Sequence, residues 1–240
     1  MKLIYVFHSG FVIEATGFSI LIDYYKDTGV NPRHGYVHDE LLMQEKPLYI
    51  LSSHAHPDHF NKEILSWKER KNNITYIFSR DILHHGKAAE EEAVYLLKGE
   101  SHEDEQLTIK AFGSTDAGVS FLIRAEGKTI FHAGDLNNWH WKAESTPEEI
   151  AVMEYDYLNE VALLRQTTTR LDLAMFPVDP RLGNDYALGA EQFIDRIEVG
   201  LFAPMHFAES YQALPAFCQY ARERNTPCIC WKEKGESIEF

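Results

Sequence analysis

One short run, His54-Ala55-His56-Pro57-Asp58-His59, carries four side chains that bind first-row divalent metals. Imidazole nitrogen and carboxylate oxygen are the borderline donors that suit Zn²⁺, with Mn²⁺ and Fe²⁺ as alternatives. Two histidines at i and i+2 of an extended segment point to the same side, so His54 and His56 can address one ion. Asp58 and His59, on the turn that follows, can address a second. Two ions about 3.5–4 Å apart can share a hydroxide that is a strong nucleophile at neutral pH. The bland alternative is a histidine-rich surface turn in a chain with 12 histidines. Placement favours metal, because the run leaves residues 47–51 directly, a short apolar stretch of the kind that forms a strand buried on both faces.

The elements that must position this loop follow from the pattern around it. Residues 3–7, 11–15 and 19–23 are short β-branched and aromatic runs separated by Ser-Gly and Thr-Gly turns, which predicts an antiparallel meander. Residues 24–47 read as loop with a short helix near 39–45. Helices are expected at 62–71 and 86–98, the latter from apolar residues Ala89, Ala93, Leu96 and Leu97, and a strand at 74–78. A second strand cluster covers 107–112, 118–125 and 129–133, with Glu126-Gly127 as a hairpin turn. Thr146-Pro147-Glu148-Glu149 is an N-cap followed by proline and acids, and starts a helix expected to reach about residue 167. Strands at 171–177, 201–204, 228–232 and 236–240 then alternate with helices at 189–197 and 214–224. Two halves that each open with strands and later add helices predict an α/β (α+β) fold, a four-layer αββα sandwich, with residues 1–240 as one domain.

The metal loop resembles the signature of the metallo-β-lactamase superfamily, whose fold is this αββα sandwich. Phe131-His132-Ala133-Gly134-Asp135 is similar to the family's Gly-Asp turn, whose aspartate bridges two metals. Ala203-Pro204-Met205-His206-Phe207 is similar to the run that carries its final histidine ligand. With Phe7-His8-Ser9-Gly10-Phe11-Val12-Ile13-Glu14, these stretches resemble a branch of metal-dependent hydrolases related to L-ascorbate-6-phosphate lactonase, from Met1 to about His206. The resemblance implies a first site on His54 and His56, shared with Asp135 where it bridges, and a second on Asp58, His59, Asp135 and His206. Asp58 would also orient the nucleophile.

One position departs from the branch. A run like Ala-Phe-His-Ser supplies a third histidine to its first metal, and here Ala111-Phe112-Gly113-Ser114 has glycine in that place. Three readings follow. Only the second site is filled, leaving His54 and His56 as hydrogen-bonding or proton-transfer groups; or Asp116, Thr115 or a water completes the first site; or the site is degenerate. One or two ions per chain are therefore expected.

Other residues are candidates for the substrate side. His8 is read as a packed side chain or as support for the metal loop. Trp139 and Trp141 offer a stacking wall, with loop packing as the alternative. Asp179 and Arg181 close a buried strand, and Arg181 can pair with a phosphate or carboxylate. His132 is read as structural, and His34, His84 and His85 as exposed.

Composition bounds the function. With 240 residues, 45% hydrophobic and 25% charged, the chain can bury a core without disulfides. A net charge of −14 repels nucleic acid and anionic lipid. No apolar run reaches membrane-spanning length. Three cysteines without framework spacing suggest reduced thiols and a cytoplasmic protein, with Cys228 and Cys230 a buried apolar pair or a metal half-site. The expected function is metal-dependent hydrolysis of a small ester, lactone, amide or phosphodiester, and a homo-oligomer is compatible with the sequence. The alternatives are a nuclease of the same superfamily, which needs a basic groove, and a non-catalytic metal- or ligand-binding relative.

Overall fold

The computed structural model describes residues 1–240. The N-terminal meander is β1 (Lys2–Phe7), β2 (Gly10–Glu14) and β3 (Ser19–Ile22), followed by the short helix α1 (Tyr36–Asp39). Next come β4 (Leu48–Ser52), β5 (Ile74–Ser79), α2 (Arg80–His84) and β6 (Val94–Leu96). The second cluster is β7 (Ser101–Glu103), β8 (Leu107–Phe112), β9 (Ser120–Ala125) and β10 (Lys128–His132). The long helix α3 (Pro147–Thr167) leads to β11 (Arg170–Leu171), β12 (Leu173–Pro177), α4 (Leu188–Ile194) and β13 (Glu198–Val199). The chain ends with β14 (Phe202–Met205), α5 (Leu214–Glu223) and β15 (Ser237–Glu239).

Two sheets result, in the orders β15-β1-β2-β3-β4-β5-β6 and β14-β12-β10-β9-β8-β7. Strands β1 to β5 of the first sheet are buried on both faces, and strict alternation sorts their side chains between two cores. Leu3, Tyr5, Phe11, Ile13, Ile20 and Ile22 join Phe121, Ile123 and Ile130 of the other sheet in an inter-sheet core. Ile4, Val6, Val12 and Leu21 point the other way, onto Phe60, Ile64, Trp67 and Ile82. The αββα sandwich is thus built from both faces of each sheet.

Helix α3 starts where its capping residues predict: the Thr146 side chain accepts from the Glu149 amide and Glu149 answers on the Thr146 amide at 2.8 Å. The helix expected at 62–71 is present, as a 3₁₀ helix over Lys62–Glu69. Two local expectations fail. Residues 86–98 are not a helix, because Val94, Tyr95 and Leu96 pair in parallel with Ile77, Phe78 and Ser79 at the sheet edge, and edge pairing outweighs a weak helical period. Residues 228–232 make a single bridge, Phe202 to Cys228, instead of a strand, and Cys230 is only half-buried. No helix is long and apolar enough to cross a membrane.

Strand direction aligns the site. β3, β4 and β5 run parallel, as do β10, β12 and β14, so each sheet delivers several carboxyl ends to one edge, where open α/β sheets place their ligands. Phe11 spans the sheets, its ring 5.5 Å from Tyr5 and 6.3 Å from His132. Phe11→Ala is expected to cost about 3–5 kcal/mol, read as a lower urea midpoint with an unchanged slope.

Candidate metal centre

The residues at this edge leave their strands abruptly. His8 follows β1 with φ 57°, Asp23 follows β3 with φ 47°, and His206 follows β14 with φ 65°. Non-glycine residues in the left-handed region cost energy and concentrate at functional sites. Between β10 and Asp135, Gly134 has φ 53°, and a Cβ there would meet the Ser53 side chain and the Val119 carbonyl, each at 2.8 Å. Glycine lets the Asp135 turn pack directly on the metal loop.

Asp135 stands at the centre. Its Oδ1 lies 3.1 Å from His59 Nε2 and 3.3 Å from His206 Nε2, and its Oδ2 lies 3.3 Å from His54 Nε2. The buried environment would raise the Asp135 carboxyl, but the His59 and His206 imidazoles outweigh it and hold it well below the carboxylate range. Burial likewise opposes the charged form of His59, yet Asp135 and Asp23 carry its pKa well above the usual value. Two groups of donor atoms lie within 4.8 Å of one another: His8, Asp58, His59 and His206, and His54, His56 and Asp135.

Hydrogen bonds on the far ring nitrogens separate potential ligands from bystanders, because a nitrogen that coordinates a metal needs a free lone pair. His59 Nδ1 donates to Asp23 Oδ2 at 2.7 Å, and His206 Nδ1 donates to Asp179 Oδ2 at 2.9 Å. Ser53 Oγ donates to Asp23 at 2.7 Å and so accepts from His54 Nδ1 at 3.0 Å. With Nδ1 committed as donor, the neutral form of each of these imidazoles has its Nε2 lone pair free for a metal beside Asp135. His59 Nε2, His206 Nε2 and Asp135 Oδ1 are buried without a hydrogen-bond partner, the pattern of a cradle that fits a cation.

His8 has the opposite tautomer. The Ala208 amide donates to its Nδ1 at 3.3 Å, leaving the proton on Nε2, which faces Asp58 Oδ2 at 3.3 Å. It fits as a donor to Asp58 and not as a fourth nitrogen ligand. His132 is structural: its Nε2 donates to the Ser9 carbonyl and its Nδ1 accepts from the Gly134 amide.

Above the centre lies a cavity of about 360 Å³ that reaches His56, Asp58, Asp116, Trp139, Trp141 and Arg181. Asp116 sits 3.7 Å from His56 Nδ1, both half-exposed. Thr115 is engaged elsewhere, donating to the Asn137 carbonyl at 2.6 Å and accepting from its amide at 3.0 Å. Trp139 is packed within the loop while lining the cavity: its Nε1 donates to the Asp135 carbonyl at 2.8 Å, and its ring meets His206 edge-on and stacks on Trp141 at 6.1 Å. At Gly113, a Cβ would run into the carboxylate of Glu160, whose Oε1 pairs with Lys98 at 2.5 Å. His34, His84 and His85 take no part in either donor group.

Sequence reasoning missed Asp23 and the orienting action of Asp179. Each is an acid closing an apolar strand, Ser-Ile-Leu-Ile-Asp and Met-Phe-Pro-Val-Asp. That shared signal was available beside the metal-loop strand, which ends at the same edge.

The family model of the β-lactamase superfamily domain matches residues 2–153. The chain belongs to the β-lactamase superfamily, among its metal-dependent hydrolases. It is 30% identical over 229 residues to a UPF0173 metal-dependent hydrolase of Bacillus cereus (strain ATCC 10987 / NRS 248), covering 86% of each chain. A second UPF0173 metal-dependent hydrolase, from Desulforamulus reducens, is 31% identical over 151 residues, 56% of this chain and 62% of that one. In fold the chain is similar to a metallo hydrolase of the hyperthermophilic archaeon Ignicoccus hospitalis, with a TM-score of 0.69 and 18% identity, covering 100% of this chain and 98% of that one.

Two predictions follow from the hydrogen-bond pattern. Asp23→Asn and Asp179→Asn, which remove no donor, are expected to weaken metal affinity about 10–100-fold, whereas His8→Ala leaves it near wild type; competition against a chelator measures all three. The second concerns pH. The folded pKa of His59 is raised, so its stabilising contribution is complete below about pH 6.5 and is lost as pH rises through the folded value. Chelated protein should therefore lose urea resistance on going alkaline, while metal-loaded protein gains it, because ligation needs the deprotonated ring.

Proposed function

We propose that this chain hydrolyses a small ester, lactone, amide or phosphodiester, using a divalent ion seated against Asp135, with Zn²⁺ the best match and Mn²⁺ or Fe²⁺ alternatives. The observation that carries this reading is the division of one buried carboxylate among three imidazole Nε2 atoms, two of them without any hydrogen-bond partner. A divalent ion in such a seat supplies a water acidic enough to lose its proton near neutral pH.

The chain's own groups divide the remaining work. Asp58 reaches the cavity and orients the attacking water, with its carboxyl kept ionised against burial by the neighbouring His8 and His59 imidazoles. His54 and His56, 3.0 Å apart, either hold a second ion with Asp135 or relay protons from the cavity mouth. Trp139 and Trp141 wall one side and limit water. The cavity volume and the net charge of −14 favour a small molecule over nucleic acid.

The two seats are proposed to be unequal. On the Asp58, His59 and His206 side, both histidines are braced by buried carboxylates. On the other side His56 is half-exposed, and Gly113 contributes no donor. Residues 1–240 are read as one domain, and the three free thiols suit the cytoplasm.

Protein purified without chelator should carry about one tightly held equivalent of metal and hydrolyse 4-nitrophenyl acetate or bis(4-nitrophenyl) phosphate, with Asp135→Ala reducing turnover to background. Absence of metal together with unchanged stability in His59→Ala would overturn the reading. Gly113→His should push the Glu160 carboxylate aside and raise the tightly bound stoichiometry from one to two. An unchanged stoichiometry in a folded variant counts against the unequal seats.

A further inference from the structure

Arg181 is the one lysine or arginine among the cavity's lining residues, and its surroundings define how it is used. Its Nε donates to both oxygens of Asp179, at 3.1 and 2.9 Å, and its Nη2 donates to Asp179 Oδ2 at 2.5 Å. Asp179 is buried, while 61% of the Arg181 side chain is exposed. The Nε edge of the guanidinium is therefore committed to the protein. Guanidinium has five N–H donors in a rigid fork, so the edge formed by Nη1 and the second Nη2 hydrogen stays open. The Trp141 ring, 5.9 Å from the guanidinium carbon, braces it from the side. An exposed arginine pinned on one edge has already lost most of its rotamer freedom, which lowers the cost of binding.

We propose that this open edge is an anion-recognition subsite, and that the substrate carries a carboxylate or phosphoryl group beside its scissile bond. This rests on the hydrolase reading and names its substrate class. The cavity also holds the carboxylates of Asp58, Asp116 and Asp135, which oppose an anion. Asp58 and Asp135 belong to the donor set that a divalent ion neutralises, and Asp116 lies beside His56. Arg181 then gives the loaded cavity a fixed positive pole, and its planar fork matches a bidentate oxyanion. The same Asp179 oxygen accepts from His206 Nδ1, so the anion contact and the imidazole facing Asp135 share one carboxylate. Substrate placement and the geometry of the seat are thereby set by a single buried group.

The test compares two activated esters with one leaving group, 4-nitrophenyl acetate and mono-4-nitrophenyl succinate, on Zn²⁺-loaded wild type, Arg181→Gln and Arg181→Lys of equal metal content. Wild type should prefer the succinate in kcat/KM by about tenfold or more, with the gain in KM. Arg181→Gln should erase that preference, and Arg181→Lys, which keeps charge but loses the fork, should restore part of it. A preference that survives Arg181→Gln, or is absent from wild type, overturns the subsite. In parallel, calorimetry with succinate and with inorganic phosphate separates the carboxylate from the phosphoryl source. Anion binding that Arg181→Gln abolishes, in protein that cleaves neither ester, supports the subsite and counts against ester hydrolysis. Anion binding equal in wild type and Arg181→Gln overturns the subsite whatever the hydrolysis shows.

Discussion

The arrangement of this site depends on Asp23. This one wholly buried carboxylate accepts the Ser53 amide and the Ser53 hydroxyl on separate oxygens, and His59 Nδ1 on the second of these, each at 2.7 Å. Burial would push its carboxyl up, and the neighbouring His132 and His59 more than compensate, keeping it an acceptor. Because Ser53 spends its only proton on Asp23, its oxygen is left to receive His54. One acid thereby fixes the tautomers of two imidazoles and the start of the loop that carries them. Without it, two rings would be free to turn a proton toward Asp135 where a lone pair is needed.

Asp23 can do this because of the sheets. It ends β3 beside β4, whose parallel register brings Ile22 level with Leu51 and sets the acid against Ser53. The other sheet answers from the opposite side, with Asp135, Asp179 and His206 after three parallel strands. The inter-sheet core holds the two edges in register, and that packing opposes the strain of left-handed backbone at His8, Asp23 and His206.

Much of this was legible in the sequence, for a chemical reason. Metal donors come from few residue types, so His54, His56, Asp58 and His59 at short spacing stand out, whereas Asp135 and His206 are reached only through the resemblance of their Gly-Asp and Pro-Met-His runs to the superfamily's. The αββα order was legible because period-two burial and capping residues leave local marks, as at Thr146. The rest depended on contacts distant in sequence. Asp23 looks like any acid after a strand until Ser53 is beside it. Residues 86–98 read as helix because the pairing of Val94, Tyr95 and Leu96 with β5 is invisible to a local pattern. Gly113 stands where the resemblance expects a donor, but nothing local signals that the Glu160 carboxylate lies against it.

The donors also have an order in time. Synthesis runs from the N-terminus, and His206 emerges roughly 70 residues after Asp135 and 150 after His54, counting along the chain. A nascent chain holding the metal loop and Asp135 would have one braced imidazole fewer and no Asp179 to orient a replacement. The complete seat exists only once β14 has docked between β12 and the residues that follow. An ion held there would join donors that follow strands of both sheets, a clasp completed only when the last of them is made.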